Sequence, residues 1–223
     1  MPPLIATPRL QGAAAVALPL AATIWGYDLA AKNTAAGPAV MAACRGLDVL
    51  LGASPGRPVR ALPAALTVAA HTWTVTALSR REVSGADAAL PRRTLAGTAL
   101  VALAATTLPR RATPTPAPHP RAAEPSPRPL AAEPSPRPLA GMVAAALPVG
   151  LAGWYVARYG GAQARVAAEP TAGRVRAAVG AGITGLPSLQ GALTARAGAG
   201  LVGALVALAA PLGGRLARKL SPT

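Results

Sequence analysis

Apolar residues in this chain fall into long runs separated by short polar or basic stretches. They show neither the two-residue alternation of strands nor the one-sided spacing of surface helices. Seven runs stand out, at 11–26, 38–53, 61–78, 94–109, 140–157, 175–190 and 197–213. Trp25 and Tyr27 close the first run, and Trp154, Tyr155 and Tyr159 close the fifth. Aromatics at such positions suit anchors at a membrane interface. The runs are 16–18 residues long, against the roughly 20 that a bilayer-crossing helix needs. Seven together predict an all-α, polytopic transmembrane bundle of about six or seven helices, a multi-pass protein of the cell membrane.

Between the fourth and fifth runs the pattern breaks. Pro109 to Pro138 is a proline-rich insert holding a perfect tandem repeat, AAEPSPRPL, at 122–130 and again at 131–139. Proline at that density blocks both helix and sheet, so the insert is expected to be an extended, disordered loop. The chain thus divides into membrane helices with polar loops (1–108), the insert (109–139) and C-terminal membrane helices (140–223).

Composition agrees with the membrane reading. Hydrophobic residues make up 52% of the chain, yet aromatics are only 3% and there is no Phe. Ala, Leu, Val and Gly do the packing, and small residues let helices approach closely in lipid. The net charge of +15 would by itself suggest nucleic acid. The basic residues, however, sit singly or in pairs between apolar runs, without aromatic stacking platforms, so no nucleic-acid partner is expected. If the runs alternate across a membrane, twelve Lys and Arg lie with the loops 27–37, 79–93, 158–174 and the tail, and nine lie opposite. Positive charge favours the cytoplasm, which orients those loops inward. The lone Cys44 excludes an internal disulfide and reads as packing.

Few residues can carry chemistry. The chain has seven acids, and no two stand three or four apart on an apolar run, so no carboxylate pair is preset to clamp a metal. Arg45 and Asp48 are three apart and share a helix face. They form either a self-neutralising packing pair or the wall of a polar substrate pocket. His71 sits inside the third run, eight residues before the polar loop that starts at Ser79. It is either a hydrogen-bonded interior histidine or a catalytic one. Arg80 and Arg81, followed by Glu82 and Asp87, lie at the membrane edge. They serve as a topology anchor or hold a diphosphate through the guanidinium fork.

Taken in order, Tyr27-Asp28, Lys32-Asn33-Thr34, Gly37-Pro38, Arg45-Gly46-Leu47-Asp48-Val49-Leu50-Leu51-Gly52, the segment His71 to Gly85, and the tail from Ala192 to Thr223 resemble the UbiA superfamily of intramembrane prenyltransferases. The likeness is to its actinobacterial 4-hydroxybenzoate polyprenyltransferase-like and EboC-like branch. The resemblance implies an all-helical membrane fold around a central cavity. It also implies transfer of a prenyl group from a polyprenyl diphosphate to an aromatic or other small-molecule acceptor, with Mg²⁺ as cofactor. On this reading Lys32, Arg80 and Arg81 contact the diphosphate, Glu82 and Asp87 lie on the metal side, and Arg45, Asp48 and His71 line the acceptor cavity. Two departures follow from the same comparison. The family's first three helices and first Asp-rich motif have no counterpart, and the second motif is reduced to Ser79-Arg80-Arg81-Glu82. The resemblance therefore implies either an N-terminally truncated enzyme or a membrane protein that keeps the packing without the reaction. Membrane lipid is a partner on every reading. A small transporter with Arg45 and Asp48 in its path is a further class.

Overall fold

The computed structural model describes residues 8–87, 89–107 and 137–220, and all regular structure among them is helical. α1 (Pro8–Gly26) continues through a π turn (Tyr27–Ala31) before α2 (Gly37–Gly52) returns. A 3₁₀ turn (Pro58–Ala61) leads into α3 (Leu62–Ser79), followed by α4 (Ala89–Thr107). α5 (Arg137–Tyr155), a π turn (Val156–Gly160) and α6 (Gly161–Ala168) form one unbroken rod. α7 (Ala172–Arg196) and α8 (Gly200–Leu220) complete the described fold.

Local chemistry explains where these helices start and stop. Pro38, Pro58 and Pro63 stand in first turns, where a missing N–H leaves no bond unmade. Gly198 has φ +100° just beyond α7, the left-handed conformation that ends a helix and lets α8 begin two residues later. Thr171 Oγ1 accepts the Arg174 N–H at the start of α7. Asp87 Oδ1 accepts the N–H groups of Ala89 at 2.9 Å and Leu90 at 2.8 Å at the start of α4.

The Asp87 cap has a pH signature. The Leu90 N–H foremost, with help from the Ala89 N–H and nearby Arg81 and Arg93, holds its carboxyl below the ordinary carboxylate range. A folded value below the unfolded one gives stability above the unfolded pKa of about 3.9 that disappears as pH falls through the folded value. Asp87→Ala should therefore melt below wild type at pH 7, and the deficit should shrink on acidification past pH about 4. A deficit equally large at pH 3 would show that the cap is not electrostatic.

Three helical segments are long and apolar enough to cross a membrane: Gln11–Ala31 (21 residues), Pro58–Ser79 (22) and Gly141–Ala168 (28). They mark a membrane protein. The remaining runs fall short for identifiable reasons. α2 has only 16 residues, about 24 Å of helix. α4 carries Arg92 and Arg93 in its first turns. α7 is long but interleaved with Gly, Thr, Ser and Gln, and α8 keeps a shorter apolar stretch, Gly200–Ala209.

Both π turns move expected boundaries. The first keeps Tyr27 to Ala31 helical where a loop was expected, and the second carries the fifth helix on to Ala168 through part of the expected 158–174 loop. The Pro-rich repeat lies outside the described residues apart from its last three, since α5 begins at Arg137. Leu78, Val101, Tyr155, Tyr159, Val166, Val175 and Leu189 share one core, so the segments on either side of the insert pack together. Outside that core, α1, the π turn after it and α8 turn Leu18, Trp25, Leu29, Leu201 and Leu205 outward. An apolar exterior is stable where the surroundings are hydrocarbon.

Connections of a few residues make successive helices antiparallel, which sorts the loops into two ends. Arg80 Nη1 donates to the Lys32 carbonyl, the Ala86 N–H to the Pro170 carbonyl, and Arg176 Nη1 to the Glu82 carbonyl. These bonds gather the α1–α2, α3–α4 and α6–α7 connections at one end. Gly85 makes the contact with the α6–α7 loop possible. Its φ is +76°, and a Cβ there would lie 2.6 Å from the Pro170 carbonyl oxygen. At the opposite end Arg196 Nη1 donates to the Thr106 carbonyl, tying α7 to the end of α4.

Candidate functional site

Seven of the eight expected site residues lie on two separate surfaces. Arg45 and Asp48 do pair, Nη1 to Oδ2 at 3.1 Å, but their side chains are 55% and 42% exposed. An exposed pair contributes at most about 1 kcal/mol. α2 packs through Gly46 onto Ala65 and Ala69 of α3, whereas His71 turns toward α5 and α7. The structure therefore does not bring Arg45, Asp48 and His71 into one cavity wall. Cys44 is buried, as a packing residue should be.

Lys32, Arg80, Arg81, Glu82 and Asp87 do share one end of the bundle. Lys32 and Arg80 are 48 residues apart in sequence yet 3.1 Å apart from Nη1 to carbonyl oxygen. Arg92, Arg93, Arg165, Arg174 and Arg176 belong to the helix turns at this same end. The acids there are dispersed. Asp87 is committed to capping α4, and Glu169 to an ion pair with Arg174 at 3.3 Å. Among the described residues no three of His, Cys, Asp and Glu converge on a metal position. The donor set on the α3–α4 connection thus reduces to Glu82, which does not fit a Mg²⁺–diphosphate clamp built from carboxylates.

The second constellation is buried. His71 is 2% exposed, and its Nδ1 lies 2.8 Å from the Tyr155 hydroxyl. The imidazole tautomer sets which of the two donates, since a neutral ring has one nitrogen that donates and one that accepts and the phenol can do either. One helical turn away, the Tyr159 hydroxyl donates to Thr74 Oγ1 at 3.1 Å, and Thr74 Oγ1 in turn donates to the His71 carbonyl at 2.7 Å. The three rings form an edge-on cluster, with His71 5.4 Å from each tyrosine and the tyrosines 5.9 Å apart.

Helix geometry builds this cluster. Tyr155, Tyr159 and Gln163 recur every four residues, and the π turn between the tyrosines keeps them on the inner face. His71 and Thr74, three apart, face them from α3, and Thr94 and Thr98 do so from α4; all seven are buried. Gly182 of α7 admits the Tyr159 ring, since a Cβ there would lie 2.9 Å from Cε2. Tyr155 and Tyr159 are thus core residues, not the interfacial anchors their place at the end of an apolar run suggests. The four-residue spacing with Gln163 was the available signal; it is masked when the helix is ended at 157. Trp154, at 40% exposure, faces outward as expected.

Buried polar side chains in a membrane helix bundle are costly unless partnered and are functional suspects. Two members of this cluster are incompletely partnered. Gln163 lies beside the Tyr159 hydroxyl and Thr98 beside that of Tyr155. Even so, both amide atoms of Gln163 and Thr98 Oγ1 close no hydrogen bond of normal geometry.

The fold and these two constellations define an all-helical membrane protein with a basic end and a buried polar cluster. Set against family models, curated proteins and solved structures, the chain matches none of them.

Proposed function

We propose that this chain is a multi-pass protein of the cell membrane that binds a polyprenyl diphosphate at its basic, cytoplasmic end and acts in UbiA-like prenyl transfer to a small acceptor. The observation that carries the reading is the meeting of Lys32 and Arg80 across 48 residues of sequence, with Arg81 adjacent. Arg80 docked on the Lys32 backbone carbonyl puts both residues at one end of the bundle beside Arg81. Basic side chains gathered at such an end suit a diphosphate, which accepts several charge-assisted hydrogen bonds. An isoprenoid tail would lie among the apolar helix faces. The orientation follows from the same charges, since Lys and Arg collect on the cytoplasmic side.

The test is direct. Farnesyl diphosphate should bind the protein in lipid nanodiscs. Lys32→Ala combined with Arg81→Ala should weaken that binding at least tenfold, or about 1.4 kcal/mol. Arg57→Ala, at the opposite end, should leave it unchanged. Equal loss at both ends would mean that the charges act only as a general basic surface.

A second reading is favoured by the dispersed acids. With Asp87 used as a cap and Glu82 the one acid left on its loop, the chain would hold an isoprenoid lipid without turning it over, in a transport or assembly role. Diphosphate release that depends on added Mg²⁺ and on acceptor would decide for the enzyme. Binding without release would decide for the carrier.

A further inference from the structure

The buried cluster contains an unmet requirement that neither reading uses. Gln163 is fully buried and brings two N–H donors and a carbonyl acceptor, none of which closes a hydrogen bond of normal geometry, the Tyr159 hydroxyl beside it included. Thr98 is also fully buried with its Oγ1 unbonded. Each such group costs about 1–3 kcal/mol if nothing meets it, and native buried polar groups are nearly always met. The two belong to facing elements. Thr98 on α4 packs against Gly160, where a Cβ would lie 3.9 Å from Thr98 Cγ2, and Gln163 stands three residues beyond Gly160 on α6. The Tyr155 hydroxyl lies next to Thr98 and the Tyr159 hydroxyl next to Gln163.

The chemistry of the lining narrows what can fit. Its members are an amide, hydroxyls and an imidazole, with no Lys, Arg, Asp or Glu buried among the described residues. A charged ligand would be left without a counter-ion in a low-dielectric setting. An aprotic ligand would satisfy the Gln163 donors but not its acceptor. We infer that Gln163 and Thr98, beside the tyrosine hydroxyls, together hold a neutral hydroxyl oxygen that both donates and accepts. Its source is either a structural water or the hydroxyl of a small alcohol or phenol. The inference stands whether or not prenyl transfer occurs.

Thermal unfolding of the whole protein in nanodiscs, with and without phenol, tests it. Gln163→Leu removes the amide at similar volume, and Thr98→Val removes one hydroxyl almost isosterically. If a water is held, both variants melt about 2–4 °C below wild type, the shift for one lost hydrogen bond in a chain of this size, and phenol changes nothing. If a ligand hydroxyl is the natural occupant, phenol raises the wild-type midpoint and fails to raise that of either variant. Variants that melt at or above the wild-type temperature, with no phenol effect, would show a dry cluster and overturn the inference. Should Gln163→Leu not fold, Thr98→Val alone separates the same three outcomes.

Discussion

Gly203→Val is expected to separate α8 from α7. The two helices meet backbone to backbone: a Cβ on Gly203 would collide with the Gly191 carbonyl oxygen and lie 2.8 Å from the Ala195 nitrogen. A Cβ on Gly191 would in turn collide with the Gly203 carbonyl and lie 2.9 Å from the Ala207 Cβ. None of these obstacles is a flexible side-chain tip, so a branched residue cannot be absorbed by rotamer changes. Overpacking of this kind costs about 3 kcal/mol or more, which for a chain of this length lowers the midpoint by roughly 6–12 °C. The control lies on the same interface's other helix, α7. Gly180 has nothing within 4 Å of a built Cβ, so Gly180→Ala should be neutral or raise stability by up to about 1 kcal/mol. Thermal unfolding in one detergent compares the two. Equal midpoints for Gly203→Val and wild type would mean that α8 does not pack as described.

That contact shows what a sequence of this kind reveals. The abundance of Ala and Gly predicted close helix approach, and Gly46 on Ala65, Gly191 on Gly203 and Gly182 on Tyr159 are that approach realised. Which glycine meets which helix could not be read, because pairing in lipid depends on shape and not on a hydrophobic stripe. The all-helical class was readable from the apolar runs. Their number as spans was not, since α2 is too short and α4 and α7 are too polar to qualify by length and composition.

The candidate sites divide in the same way. Arg80 and Lys32 were identifiable because isolated charges flank apolar runs, and their shared end follows from helix alternation. His71 was identifiable as a polar residue inside an apolar run. Its partner Tyr155 was legible only as an interfacial anchor at the end of a run, and Tyr159 and Gln163 were hidden because the helix seemed to end near residue 157. A π turn adds a residue per hydrogen-bonded ring without changing composition, so the continuation to Tyr159 and Gln163 leaves no mark in hydropathy. Arg45 and Asp48 mislead in the opposite direction. Their three-residue spacing correctly predicts an ion pair, but spacing within one helix does not say which face meets a neighbour.

The His71–Tyr155 bond should then show strong coupling. His71→Ala removes a fully enclosed ring that touches both tyrosines, and it strands the Tyr155 hydroxyl 2.8 Å from where Nδ1 stood. A cavity and an orphaned donor together should cost about 3 kcal/mol or more. Tyr155→Phe keeps the packing and removes one interhelical hydrogen bond, and such bonds within membranes are worth about 0.6–1.7 kcal/mol. Once His71 is gone, the same Tyr155→Phe change removes a stranded hydroxyl instead of a bonded one. It should then cost nothing or restore part of the loss. The double variant should therefore be more stable than the sum of the singles by about 0.5–2 kcal/mol, read from midpoints of reversible unfolding in one detergent. Thr106→Val, at the far end of α4, should combine additively with either single variant, which separates a local bond from general loosening of the bundle. Strict additivity of His71→Ala and Tyr155→Phe would mean that the two side chains do not share the hydrogen bond. The buried cluster would then lose its central link and keep only the chain from the Tyr159 hydroxyl through Thr74 Oγ1 to the residue-71 carbonyl.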